Sequence, residues 1–179
     1  MNFFDSYFDA IRRCVSQVSG DLLNEAATAI SSTSVRAGKV IIAGNGGSAA
    51  MASHVSVDLV KVAGVRAVNF NESDLITCFA NDYGYERWIE KALEFYADSA
   101  DLVILISSSG RSLNILNGAK KAKALGLPLI TFSGFSSDNP LRTAGDLNFW
   151  ADSSEYNVVE MAHHIWLVAL SDKIASDRK

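Results

Sequence analysis

The sequence predicts an α/β fold, with a parallel sheet covered by helices on both faces and a helical hairpin ahead of it. Three observations carry this. Short, continuous apolar runs such as Val40-Ile41-Ile42-Ala43 and Leu102-Val103-Ile104-Leu105-Ile106 read as buried strands. Segments with helical apolar spacing separate them, and alternation of continuous apolar strands with helices makes a parallel sheet buried on both sides. Two of the strands run straight into polar turns, Gly44-Asn45-Gly46-Gly47-Ser48 and Ser107-Ser108-Ser109-Gly110-Arg111-Ser112.

In order, Phe3, Phe4, Tyr7, Phe8, Ile11, Val15 and Val18 fall at helical spacing and predict a first helix over 3–18 with an aromatic face. Gly20-Asp21 reads as a stop and a new cap. Leu22, Leu23, Ala26, Ala27 and Ile30 then make a second helix that ends before Gly38. Val40–Ala43 is the first strand, and the small residues after Gly47 start a helix. Arg66–Phe70 is a short strand, and Ser73-Asp74 caps a short helix through Phe79. Asn81–Glu86 reads as a turn, Arg87–Ala97 as a helix and Leu102–Ile106 as a strand. A helix to about Leu125 follows the serine turn, Leu127–Phe132 is a strand, and Ser133-Gly134 turns. Asp146–Ala151 is the last strand and Tyr156–Ile174 a long final helix.

At 179 residues the chain is most simply one domain, with a hairpin over 1–37 and an α/β core over 38–179. The net charge of −4, without a basic stripe, argues against a nucleic-acid surface. Cys14 and Cys78 have no metal or redox spacing and read as buried small hydrophobes in a reducing compartment. The N-terminus lacks a signal-peptide pattern and no apolar run is long enough to span a bilayer, so the expected location is cytoplasmic.

In parallel α/β sheets, ligands sit beyond the carboxyl ends of the strands. Both polar turns lie there and face one crevice. The first presents backbone N–H groups at a helix start; Gly46 and Gly47 allow positive φ and close approach, and Asn45 and Ser48 add side-chain donors. It matches neither the dinucleotide nor the P-loop signature, and alone it is equally a plain βα connection. The second brings four serines to one helix start, a donor set suited to phosphate. His54 and Asp58, four apart, share a face of the helix that begins at the first turn. On the last helix Val159, His163 and Leu167 form one stripe, with Glu160 and His164 on the stripe beside it.

GNGGS after a strand, ANDYGYE, and LISSSGRS before a helix resemble the sugar isomerase (SIS) domain, most closely the sedoheptulose 7-phosphate (phosphoheptose) isomerases, over nearly the whole chain. The resemblance implies a doubly wound five-stranded parallel sheet, a homotetramer with active sites at subunit interfaces, and conversion of a ketose phosphate to an aldose phosphate. It implies substrate contacts at Asn45, Gly46 and Gly47, a substrate-contacting pair at Asn81 and Asp82, and a phosphate loop at Ser107, Ser108, Ser109 and Ser112. His54 matches a zinc-binding histidine of the zinc-containing members, and Asp58 stands where the family has a glutamate that is both base and zinc ligand. Aligned on Glu160, Val159 and Leu167 replace a functional glutamine and histidine.

Enediol isomerisation needs a base and a proton shuttle but no redox cofactor. The expected catalytic set is therefore Asp58 as base with His54 or His163 as shuttle. No metal is required, and a weak or substrate-completed zinc site at His54, Asp58 and His163 is the alternative use of the same residues. The expected partner is a sugar phosphate, with no direct nucleic-acid or membrane contact. A non-catalytic tetramer that binds a phosphosugar or a protein partner is the rival reading.

Overall fold

The computed structural model describes residues 2–178. Helices α1 (Phe3–Val15) and α2 (Gly20–Val35) form the hairpin. The core then runs β1 (Val40–Ala43), α3 (Gly47–Lys61), β2 (Ala67–Asn69), α4 (Ser73–Tyr83), α5 (Trp88–Tyr96), β3 (Leu102–Ser107), α6 (Leu113–Ala124), β4 (Leu129–Gly134), β5 (Leu147–Ala151) and α7 (Tyr156–Asp177). Short 3-10 turns at Tyr85–Arg87 and Pro140–Thr143 precede α5 and β5.

The five strands form one all-parallel sheet in the order β2-β1-β3-β4-β5, as expected. Successive strand residues point to opposite faces, and both faces are apolar. Val40, Ile42, Leu102, Ile104 and Ile106 pack under α1, α2, α3 and α7. Ile41, Ala43, Val103 and Leu105 pack under α5 and α6, with Leu75, Ile76 and Phe79 of α4 at the margin. Burial of each large side chain contributes about 1.5–3 kcal/mol. Trp166 of α7 is among the largest buried side chains and donates from Nε1 to the carbonyl of Val15 at 3.0 Å, which ties α7 to the end of α1.

Some local expectations are corrected. Ser19, whose hydroxyl accepts from Leu22 N at 3.2 Å, caps α2, and Gly20 is already helical. Asn81 and Asp82 lie in the last turn of α4, because the helix stops only where Gly84 takes a φ of 89°. Ser133 and Gly134 extend β4 rather than turning, since Ser133 pairs with both Ser107 and Trp150 across the sheet. Cys14 is buried, but Cys78 is exposed on α4. No helix among the described residues is long and apolar enough to cross a membrane.

Candidate functional site

The strand order places β2 on one side of β1 and β3 on the other. Chain connections therefore leave β1 and β3 toward opposite faces and open a crevice at their carboxyl ends, where parallel sheets bind ligands. The two polar turns meet there around a cavity of about 300 Å³. One wall is Asn45, Gly46, Gly47 and Ser48; the other is Ser107, Ser108, Ser109 and Ser112; Tyr156 and Glu160 from the start of α7 complete it.

Each residue arrives for a local reason. Gly46 caps α3 with φ 54°, which a side chain disfavours. Gly47 is needed for a different reason than the sequence suggested: it is helical, and a Cβ there would lie 2.8 Å from the carboxyl carbon of Glu160. The hydroxyls of Ser107 and Ser112 bond to each other at 3.2 Å, which closes the serine loop. Ser109 Oγ accepts from Arg111 N at 3.3 Å. Ser108 is buried and its hydroxyl has no partner among the described residues. A buried hydroxyl left unpaired is costly, and one that lines the cavity is satisfied when an anion enters.

Asn45 differs from expectation. Its amide donates to Asn114 Oδ1 at 3.0 Å, and the Asn114 amide donates back at 2.8 Å, while Tyr85 Oη donates to Asn45 Oδ1 at 3.1 Å. Its side chain is thus a brace between the two turns rather than a free donor, and Asn114, buried in the first turn of α6, is a member that sequence reasoning missed. The signal was an asparagine in the first turn of the helix behind the serine loop. Asn81 and Asp82 sit exposed on α4, bonded to each other at 2.9 Å, and are not among the cavity's lining.

His54 and Asp58 do meet, with Nε2 to Oδ2 at 3.3 Å. His54 Nδ1 lies 2.8 Å from Nε2 of His164, the rings set edge to face at 87°. Burial, then the charge on His54, push His164 below the ordinary histidine range against the opposing pull of Asp58. His163, the expected shuttle, does not join them. It is fully buried, edge-on to Phe132, with Nε2 donating to the carbonyl of Ser133 at 2.9 Å. Burial drives its pKa from 6.5 down to about 4, with the Ser133 bond opposing. One residue along a helix turns a side chain by about 100°, so the partner of His54 is the half-buried His164 while His163 serves the core. Val159 and Leu167 are buried on that same inward stripe.

Among the described residues no three His, Cys, Asp or Glu side chains are grouped to hold a metal ion. His54 stands between Asp58 and His164, His163 faces the core, and Val159 and Leu167 carry no donor atoms.

A family model described as the SIS domain matches residues 6–134. The phosphoheptose isomerase of Mycobacterium bovis (strain BCG / Pasteur 1173P2) is 34% identical over 164 residues, covering 86% of this chain and 83% of that protein. The chain belongs to the SIS domain family, among the phosphoheptose isomerases. The phosphoheptose isomerase of Helicobacter pylori (strain P12) is 27% identical over 177 residues, spanning 96% of this chain and 91% of that one. Among solved structures, the phosphoheptose isomerase of Neisseria gonorrhoeae shares the fold with a TM-score of 0.87, at 22% identity and with 96% of this chain and 94% of that one covered. Within this SIS domain, the two polar turns are the two walls of the cavity.

Proposed function

We propose that this SIS protein isomerises a ketose phosphate to an aldose phosphate through an enediol, with sedoheptulose 7-phosphate and the corresponding heptose 7-phosphate as the substrate pair. The observation that carries this is the buried, unpartnered Ser108 hydroxyl in a cavity walled by two donor-rich turns. A phosphate needs many donors around one centre, and the serine-rich start of α6 supplies them. Kinship with phosphoheptose isomerases supports the sugar. Ser107, Ser108, Ser109 and Ser112 hold the phosphate end, Gly46, Gly47 and Ser48 contact the rest of the substrate, and no redox cofactor is needed because the reaction only relocates hydrogens.

In this reading the chain is one SIS domain in a cytoplasmic homotetramer whose active sites lie at subunit interfaces, where Asn81 and Asp82 are used. Support comes from Phe3, Phe4 and Phe8, which are 73%, 65% and 62% exposed on α1 and form an apolar patch that burial in an assembly relieves. The free thiols Cys14 and Cys78 suit a reducing compartment. Light scattering at micromolar concentration tests the assembly; a stable monomer rejects it.

One observation favours a second reading, a sugar-phosphate-binding tetramer without turnover. Val159 and Leu167 place apolar side chains inside the core where the resemblance implies a glutamine and a histidine. Turnover assays and calorimetry with C5 to C7 sugar phosphates separate the two. Conversion of sedoheptulose 7-phosphate supports the isomerase, and binding without conversion supports the second reading.

A further inference from the structure

We infer that the general base of this chain is Glu160 of α7 rather than Asp58 of α3; the assignment rests on the isomerase reading above. Among the described carboxylates, Glu160 is the one that lines the cavity between the two turns. Its carboxylate lies against Gly47, on the wall opposite the serine loop. A sugar phosphate anchored by Ser108 and Ser109 therefore extends its carbon chain toward Glu160.

The competing carboxylates are committed elsewhere. Asp58 is taken up by His54 Nε2 at 3.3 Å, and neither residue lines the cavity. Asp82 accepts from the Asn81 amide at 2.9 Å on exposed α4. Glu160 has no ion-pair or side-chain hydrogen-bond partner among the described residues, so its lone pairs are available to a substrate C–H.

The step balances without a co-reactant. The carboxylate takes a proton from C1 of the ketose, and the C1–H electron pair becomes the C1–C2 double bond. The C2 carbonyl oxygen takes a proton from water to give the enediol. The O1 hydroxyl then returns a proton to water, C1=O1 forms, and the C1–C2 double-bond pair takes back at C2 the proton held by Glu160. Nothing is oxidised or reduced overall, and proton transfer by one positioned group is worth roughly 10²–10⁴-fold in rate.

The test is deuterium incorporation at C1 and C2 of sedoheptulose 7-phosphate in heavy water, with calorimetry of the same ligand. Glu160→Gln keeps the shape, and with no bonds to lose it is expected to fold; circular dichroism checks this. The expected result is wild-type exchange that falls at least 100-fold in Glu160→Gln with binding kept, while Asp58→Asn loses less than tenfold. Glu160→Asp, which keeps the carboxylate one methylene back, should recover part of the exchange. Exchange at the wild-type rate in Glu160→Gln overturns the base assignment and leaves the isomerase reading standing. Absence of exchange in the wild type with the ligand bound overturns the isomerase reading, and the base goes with it.

Discussion

The carboxylate of Glu160 rests on the backbone of Gly47, so close that a methyl group at Gly47 would lie 2.9 Å from Oε1 and 2.8 Å from the carboxyl carbon. The first residue of α3 and the second turn of α7 are thereby fitted to each other. Glycine here makes room for a carboxylate, while its own backbone is ordinary helix.

Gly47→Ala is therefore a positional probe. Alanine adopts the helical backbone without strain and should leave the melting temperature equal or higher, by about 0.4–1 kcal/mol of stability. The new methyl group pushes the Glu160 carboxylate out of place. Displacement of a reacting group by about 1 Å costs on the order of 100-fold in rate, so kcat should fall while the fold is kept. Steady-state kinetics together with a thermal melt check it; an unchanged kcat removes Glu160 from the reaction's geometry.

Ser108→Ala should separate stability from binding. The hydroxyl is buried and unpaired without ligand, so its removal leaves the empty protein as stable as before or slightly more so. With a phosphate bound, the lost bond to a charged group costs about 1.5–3 kcal/mol, or roughly tenfold to 100-fold in Kd. Calorimetry with sedoheptulose 7-phosphate reads the second effect and denaturant unfolding the first.

The buried Asp101 carboxylate holds the sheet's entry side. It accepts from Lys39 Nζ at 2.6 Å and from the backbone N–H groups of Lys39 and Asp98 at 2.8 Å each. Burial alone would lower the Lys39 pKa, but its bonds to Asp101 and Asp98 outweigh that and raise it. A raised amine keeps its contribution at neutral pH and loses it only as pH climbs past the ordinary lysine range. Asp101→Ala leaves Lys39 with Asp98 alone at 2.8 Å and unpairs two backbone N–H groups, and should cost about 1–3 kcal/mol in urea unfolding at pH 7. A loss under 1 kcal/mol would show that water reaches the amine.

His163 sets an acid limit. With its folded pKa near 4 against an ordinary 6.5, the unfolded chain binds the proton first. Its stabilising contribution is complete above about pH 6.5 and is lost as pH falls toward 4, by roughly 3 kcal/mol in all. Unfolding midpoints between pH 7 and pH 4 should fall less steeply in His163→Leu than in the wild type. Equal slopes would mean that the ring is already protonated in the fold.

Short-range patterns settled much of this protein. Continuous apolar runs read as doubly covered strands, and glycine or serine clusters directly after two of them pointed to one crevice, where the cavity is found. Those signals are local: β-branched apolar residues favour strands, and free N–H groups at helix starts favour anions. Local signals misjudged the ends of elements, as at Asn81-Asp82 and Ser133-Gly134, because helix and ladder hydrogen bonds overrode turn propensity.

Which ionisable groups face the cavity was beyond reach of the sequence for a different reason. His163 and His164 are neighbours with the same chemistry, and only the rotation of α7 on the sheet decides which one enters the core and which one meets His54. Likewise nothing in the spacing of Gly47 and Glu160 says that they touch, or that Asn114 braces Asn45. Sequence determined the fold and the two walls of the cavity, since each depends on residues close in the chain. Tertiary packing decided which ionisable groups face that cavity, since a helix presents every side of itself and its neighbours choose one.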